Sequence, residues 1–232
     1  MARAASSPRS PLSLWRLTLP ALALSLLLPA LMGCLRNPTV TQTSTLTYEG
    51  PQTYTLKPGD LLPGTDIRYL RQSSEGAEFA IGDQRAVKQK ADSLNWSGSP
   101  TEGVKLDLRL RIVWFTQDAL YAAGTARVAV SDIRPQAAEV PTEAPMTYQM
   151  PVTYALQRGS AVPGTTLTYE GQAAEGARFA GIEGYPYRQP GDSVSWQGQL
   201  RPNVAVREDL RLLHYDERSA RLVGVVHLWV TP

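Results

Sequence analysis

The chain of 232 residues is 43% hydrophobic and 19% charged, carries a formal net charge of +2 and holds one cysteine. A single cysteine excludes an internal disulfide. Lys and Arg are scattered among Asp and Glu with no dense basic stretch, which excludes an electrostatic footprint for nucleic acid and a polybasic membrane patch.

The first element is an export segment. Arg3, Arg9 and Arg16, with Ser6, Ser7 and Ser10 between them, precede an apolar run from Leu17 to Leu31 that only Thr18, Pro20, Ser25 and Pro29 interrupt. The run is shorter than the roughly 20 apolar residues a spanning helix needs, and two prolines weaken a helical span. A basic start, a short apolar core and small residues at its end predict a secretory signal over 1–33. With its three arginines removed, 20 of the 23 Lys and Arg face 21 Asp and Glu, a net charge of −1.

The run closes on Leu31-Met32-Gly33-Cys34. This resembles the bacterial lipobox, with an aliphatic residue three before the cysteine and a small one just before it. The resemblance implies a diacylglyceryl group on the Cys34 sulfur and cleavage after Gly33. Two acyl chains at one sulfur suffice for stable anchoring, where one does not. In Gram-negative lipoproteins an Asp after the cysteine tends to retain the protein at the inner membrane, so Leu35 leans towards the outer membrane where the host has one. The expected location is outside the cytoplasm, lipid-anchored to the cell membrane or outer membrane. Residues 34–39 read as a short polar tether.

Sliding the remainder against itself by 100 residues gives an ordered match without a gap. Thr47-Tyr48 meets Thr147-Tyr148, Pro63-Gly64-Thr65 meets Pro163-Gly164-Thr165, and Glu75-Gly76-Ala77-x-Phe79-Ala80 meets Glu175-Gly176-Ala177-x-Phe179-Ala180. Further on, Asp92-Ser93-x-x-Trp96-x-Gly98 meets Asp192-Ser193-x-x-Trp196-x-Gly198, and Gly124 meets Gly224. The repeat divides the chain into a first copy, 40–132, a linker, 133–139, and a second copy, 140–232.

Within a copy the hydrophobic period is two. Ile67 and Tyr69 alternate with polar neighbours, as do Ala77, Phe79 and Ile81, then Leu94 and Trp96. Leu106, Leu108, Leu110 and Ile112 form the longest such row, in a strand predicted over Lys105–Phe115, and the next strand is predicted over Leu120–Val130. Alternation of this kind marks strands with one buried and one wet face. Pro63-Gly64 and Pro163-Gly164 predict type II turns, and Glu75-Gly76 and Glu175-Gly176 predict hairpin turns. The expected fold is all-β: two tandem copies of a small antiparallel β-sandwich or barrel, about seven strands each.

The paired aromatics Tyr54/Tyr154, Tyr69/Tyr169, Phe79/Phe179 and Trp96/Trp196 are expected in the core, on alternating strand positions. The paired charges Glu75/Glu175, Asp92/Asp192 and Arg111/Arg211 are expected to be structural, with the carboxylates capping turns. His214 stands where the first copy has Trp114, at the end of a core-facing row, and is expected to be partly buried. No metal-ligand cluster, nucleophile elbow, phosphate loop or other cofactor motif is present in the sequence.

The copies differ most informatively at two places. Gly184-Tyr185-Pro186-Tyr187-Arg188 replaces Gln84-Arg85-Ala86-Val87-Lys88, and His227 and Trp229 replace Arg127 and Ala129 on the outward side of the last strand. Tyr185, Tyr187, His227 and Trp229 are therefore the candidate partner surface. The function read from the sequence is a non-enzymatic, lipid-anchored binding or scaffold protein of the bacterial envelope, with an envelope protein or glycan as ligand. The alternative is an envelope glycan hydrolase using an Asp/Glu pair.

Overall fold

A computed structural model describes residues 45–232. The signal segment, Cys34 and the tether lie outside the described residues. The described part is all-β and antiparallel, with no helix.

In the first copy the strands are β1 (Leu46–Leu56), β2 (Ile67–Ser73), β3 (Gly76–Ile81), β4 (Gln84–Lys88), β5 (Ser93–Thr101), β6 (Val104–Phe115) and β7 (Leu120–Val130). The linker carries the two-residue β8 (Gln136–Ala137). The second copy follows with β9 (Met146–Gln157), β10 (Thr168–Ala173), β11 (Gly176–Ala180), β12 (Tyr187–Arg188), β13 (Ser193–Arg201), β14 (Val204–Tyr215) and β15 (Ser219–Val230). The sheets run β1-β7-β6-β5, β2-β3-β4, β8-β13-β14-β15-β9 and β10-β11-β12. All four are open, so the barrel alternative is not what forms.

Alternation places the core. On β6, Val104, Leu106, Leu108, Leu110 and Ile112 are all buried while their neighbours are wet. Each small sheet brings a buried Tyr–Phe pair, Tyr69 with Phe79 at 5.7 Å and Tyr169 with Phe179 at 5.4 Å between ring centroids. The Tyr69 hydroxyl donates to the Thr116 carbonyl at 3.2 Å, tying the small sheet to the β6–β7 turn, and Tyr169 does the same to Asp216. Of the other paired aromatics expected in the core, Tyr154 and Trp196 are buried, whereas Tyr54 and Trp96 are half-buried. Trp96 Nε1 donates to Asp66 at 2.8 Å, as Trp196 Nε1 does to Thr166 at 3.0 Å.

Turn chemistry follows the expected pattern. Thr65 N–H donates to the Leu62 carbonyl at 3.1 Å across Pro63-Gly64, with Gly64 at φ 77°. Pro63 presets the first central residue, and the positive φ at the second requires glycine. Asp92 and Asp192 each accept a backbone N–H, from Gln89 and Gln189, at 2.7 Å. At Glu75 and Glu175 it is the main-chain carbonyl that is used, accepting from the Gln89 and Gln189 side chains. Arg111 and Arg211 donate to the Ala91 and Gly191 carbonyls, both at 2.9 Å.

His214 departs from expectation. The β14–β15 register shifts between Leu212 and His214, as β6–β7 does between Ile112 and Trp114. One extra residue in the strand restarts the alternation out of phase. His214 is therefore exposed rather than partly buried, and Trp114 is 52% exposed with the Lys90 ammonium 4.1 Å from its ring centroid.

The edge strands β1 and β9 meet around Gly50, where an added Cβ would lie 3.0 Å from Pro151 and 3.2 Å from Met150. No ladder joins these strands among the described residues. Pro51 and Pro151 sit in them, and a proline in a sheet belongs on an edge because it has no N–H to give. The buried side chains of both copies nevertheless form one contiguous cluster.

Candidate functional site

The seam between the copies is built from tyrosines. Tyr48 on β1 and Tyr154 on β9 both donate their hydroxyls to Glu208 Oε1, at 3.4 Å and 3.0 Å. Glu208 occupies the inward row of β14, between Val206 and Leu210, and is wholly buried. Its equivalent in the first copy is Leu108. Burial pushes the Glu208 carboxyl up to about 8, against the pull of the two tyrosine hydrogen bonds. Burial and the nearby carboxyl together hold the Tyr48 and Tyr154 hydroxyls well above the ordinary phenol range.

Tyr148 and Tyr54 are the copy-related partners of Tyr48 and Tyr154. Their hydroxyls are buried and make no hydrogen bond to the protein, as does Glu208 Oε2. The residue that would answer Glu208 on their side is Leu108, which offers no acceptor. Burial raises both phenols, Tyr54 to about 12.

Beside this pair opens a crease of about 470 Å³. The first copy contributes Gln52, Thr53, Tyr54 and Pro63, and the second contributes Thr147, Tyr148, Gln149, His227 and Trp229 among others. Gln52 Nε2 donates to the Gln149 carbonyl at 3.1 Å across it. His227 and Trp229 project from the outward side of β15 and stack at 6.1 Å between centroids and 25° between planes. Both are half-buried. Behind His227, its Nε2 lies 3.7 Å from Asp209 Oδ2, the same oxygen that Arg207 Nε approaches to 2.9 Å.

Neither the whole chain nor any part of it matches a known protein family, a curated protein or a solved structure.

Of the four residues expected to form a partner surface, His227 and Trp229 line the crease, and Tyr185 and Tyr187 do not. Tyr185 is 63% exposed and packs edge-on against Tyr187 at 5.3 Å. Arg188 holds this loop in place, donating to the carbonyls of Tyr185, Tyr187 and Ser193. A second cavity, lined by Glu183, Arg188, Trp196, Arg207 and Asp209, lies between that loop region and β13–β14. No cluster of three or more potential metal ligands occurs among the described residues.

Glu208 and the Tyr48/Tyr148 pair are not among the candidate site residues of the sequence. The signal was present, since an acidic residue stands in a row of core positions where the first copy has leucine. The role of the tyrosines was not visible, because it depends on how the two copies pack.

Proposed function

We propose that the chain is exported, cut before Cys34 and held by lipid on the outer face of an envelope membrane, where it acts as a non-enzymatic binding or scaffold protein. In this reading it is two tandem copies of one small β-sandwich, joined along the tyrosine seam, and the crease receives the partner. The crease carries the reading. Its Trp229–His227 stack stands on a strand face where the first copy has Ala129 and Arg127, so the aromatic surface belongs to this site and not to the fold as such. A stacked, half-buried aromatic pair rimmed by a few polar groups is the usual makeup of a binding site.

Mass spectrometry of the chain purified from its native host tests the anchoring. The expected product begins at Cys34 with a diacylglyceryl group, and an unmodified thiol or another N-terminus removes the membrane placement. Co-purification from native envelopes tests the binding. A specific partner retained by the natural chain and lost by Trp229→Ala supports it, and retention of no specific partner by the natural chain overturns it.

The alternative of a glycan hydrolase is favoured by one observation, that Glu183 and Asp209 line the same cavity. Asp209 is already engaged by Arg207 there. Turnover of envelope glycan that is lost in both Glu183→Gln and Asp209→Asn would replace the binding reading.

A further inference from the structure

We infer that the crease binds a neutral saccharide, one per chain, with a sugar ring lying on Trp229. The inference rests on the reading of the crease as a binding site and adds the chemical class of what enters it.

Charge narrows the choice first. The lining holds no Asp, Glu, Lys or Arg, although outward strand positions elsewhere carry many. An anion would find no cation in the lining. A cation would find only Asp209 behind His227, and Arg207 already occupies that carboxylate at 2.9 Å. A peptide adding itself as a strand is disfavoured as well, since Pro51 and Pro151 withdraw amide donors from the two edges that border the crease.

The remaining groups suit a polyol. A pyranose ring has a flat C–H face and a rim of hydroxyls that both donate and accept. The indole of Trp229, against which the imidazole of His227 stacks, offers a π surface whose negative face attracts C–H edges. Gln52, Gln149, Thr53 and Thr147 surround it with amides and hydroxyls, which also donate and accept. Pro63 and Pro145 wall the crease with further apolar rings.

The duplication supplies a comparison within the same chain. Moving each lining residue by 100 positions replaces Trp229 with Ala129, His227 with Arg127, Gln149 with Glu49 and Gln52 with Val152. The copy-related position thus loses the platform and gains two charges. Tyr54, Tyr148 and Pro63 keep their identity as Tyr154, Tyr48 and Pro163, because they serve the seam and the turn. Thr53 and Thr147 are shared as well, as Thr153 and Thr47, so Trp229, His227, Gln149 and Gln52 are what set this crease apart from its copy-related position, and they set a stoichiometry of one.

The test titrates the full chain with the neutral trisaccharide of N-acetylglucosamine and, separately, with a sulfated disaccharide, by calorimetry and tryptophan emission. Saturable binding of the neutral sugar at one site, weakened at least tenfold by Trp229→Ala and unchanged by Trp114→Ala, is expected. Trp229→Tyr keeps an aromatic face and is expected to bind within a few-fold of the natural chain, which separates loss of the platform from loss of the fold. Preference for the sulfated sugar, or equal binding by Trp229→Ala, overturns the inference. Absence of sugar binding while an envelope partner is still lost on Trp229→Ala overturns the ligand class and leaves the binding site standing. If neither sugar nor partner responds to Trp229→Ala, both fall.

Discussion

Glu208 is the residue whose chemistry reaches furthest into the molecule's behaviour. Its carboxyl sits near 8 in the folded protein and at the ordinary 4.5 once exposed. Below 4.5 both states hold the proton, and above 8 both have released it. Between these values the folded state binds the proton and the unfolded state does not, so stability falls as pH rises through that window. The loss is on the order of 5 kcal/mol when ionisation is complete. Denaturant unfolding at pH 5 and pH 9 should therefore show a decline in the natural chain that Glu208→Gln lacks, since the amide keeps an acceptor for Tyr48 and Tyr154 without a charge. Equal pH dependence in both proteins would show that the carboxyl is not held neutral. Glu208→Leu, which restores the residue of the first copy, should be less stable than Glu208→Gln, because two buried hydroxyls then lose their acceptor at about 1–3 kcal/mol each.

At the scale of the strand, period-two alternation was enough to place most of the fold. Strands predicted over Lys105–Phe115 and Leu120–Val130 form as Val104–Phe115 and Leu120–Val130. The Pro-Gly turns and the hairpins at Gly76 and Gly176 were legible because their residues act locally. The bulges beside Trp114 and His214 were not, since alternation carries no mark where one residue has been inserted. The crease was half legible: His227 and Trp229 could be placed on an outward face, but what they face depends on a meeting of edges that no local pattern encodes. Gly124 and Gly224 show another strand-level demand. Added Cβ atoms there would run into the Arg109 and Asp209 carbonyl oxygens and come within 2.9 Å and 2.8 Å of the Leu110 and Leu210 Cα atoms on the neighbouring strands. Overpacking of this kind costs about 1–3 kcal/mol. Gly224→Ala should lower the melting temperature by several degrees, and so should Gly124→Ala. A melting temperature unchanged in either variant would mean that the strands can part there without loss.

For the whole molecule, the continuous core has a measurable consequence. Tyr48 and Glu208 stand 160 residues apart in sequence and meet inside it. Neither copy buries its seam tyrosines alone, so the two should unfold together as one cooperative transition. Trp96 reports on the first copy and Trp196 on the second, and single-tryptophan variants retaining one or the other should lose structure at the same denaturant concentration. Two separated midpoints would make the copies independent bodies and the seam an ornament.

The prolines at the meeting edges set the character of that union. Pro51 and Pro151 each remove one amide donor from these edges, and no ladder joins β1 to β9. The two halves lean together through rings, a carboxyl, a glutamine and the Arg201 and Asn203 side chains, which donate to Ser131, Thr101 and Glu102, so a force that prised them apart would leave every rung of both ladders in place.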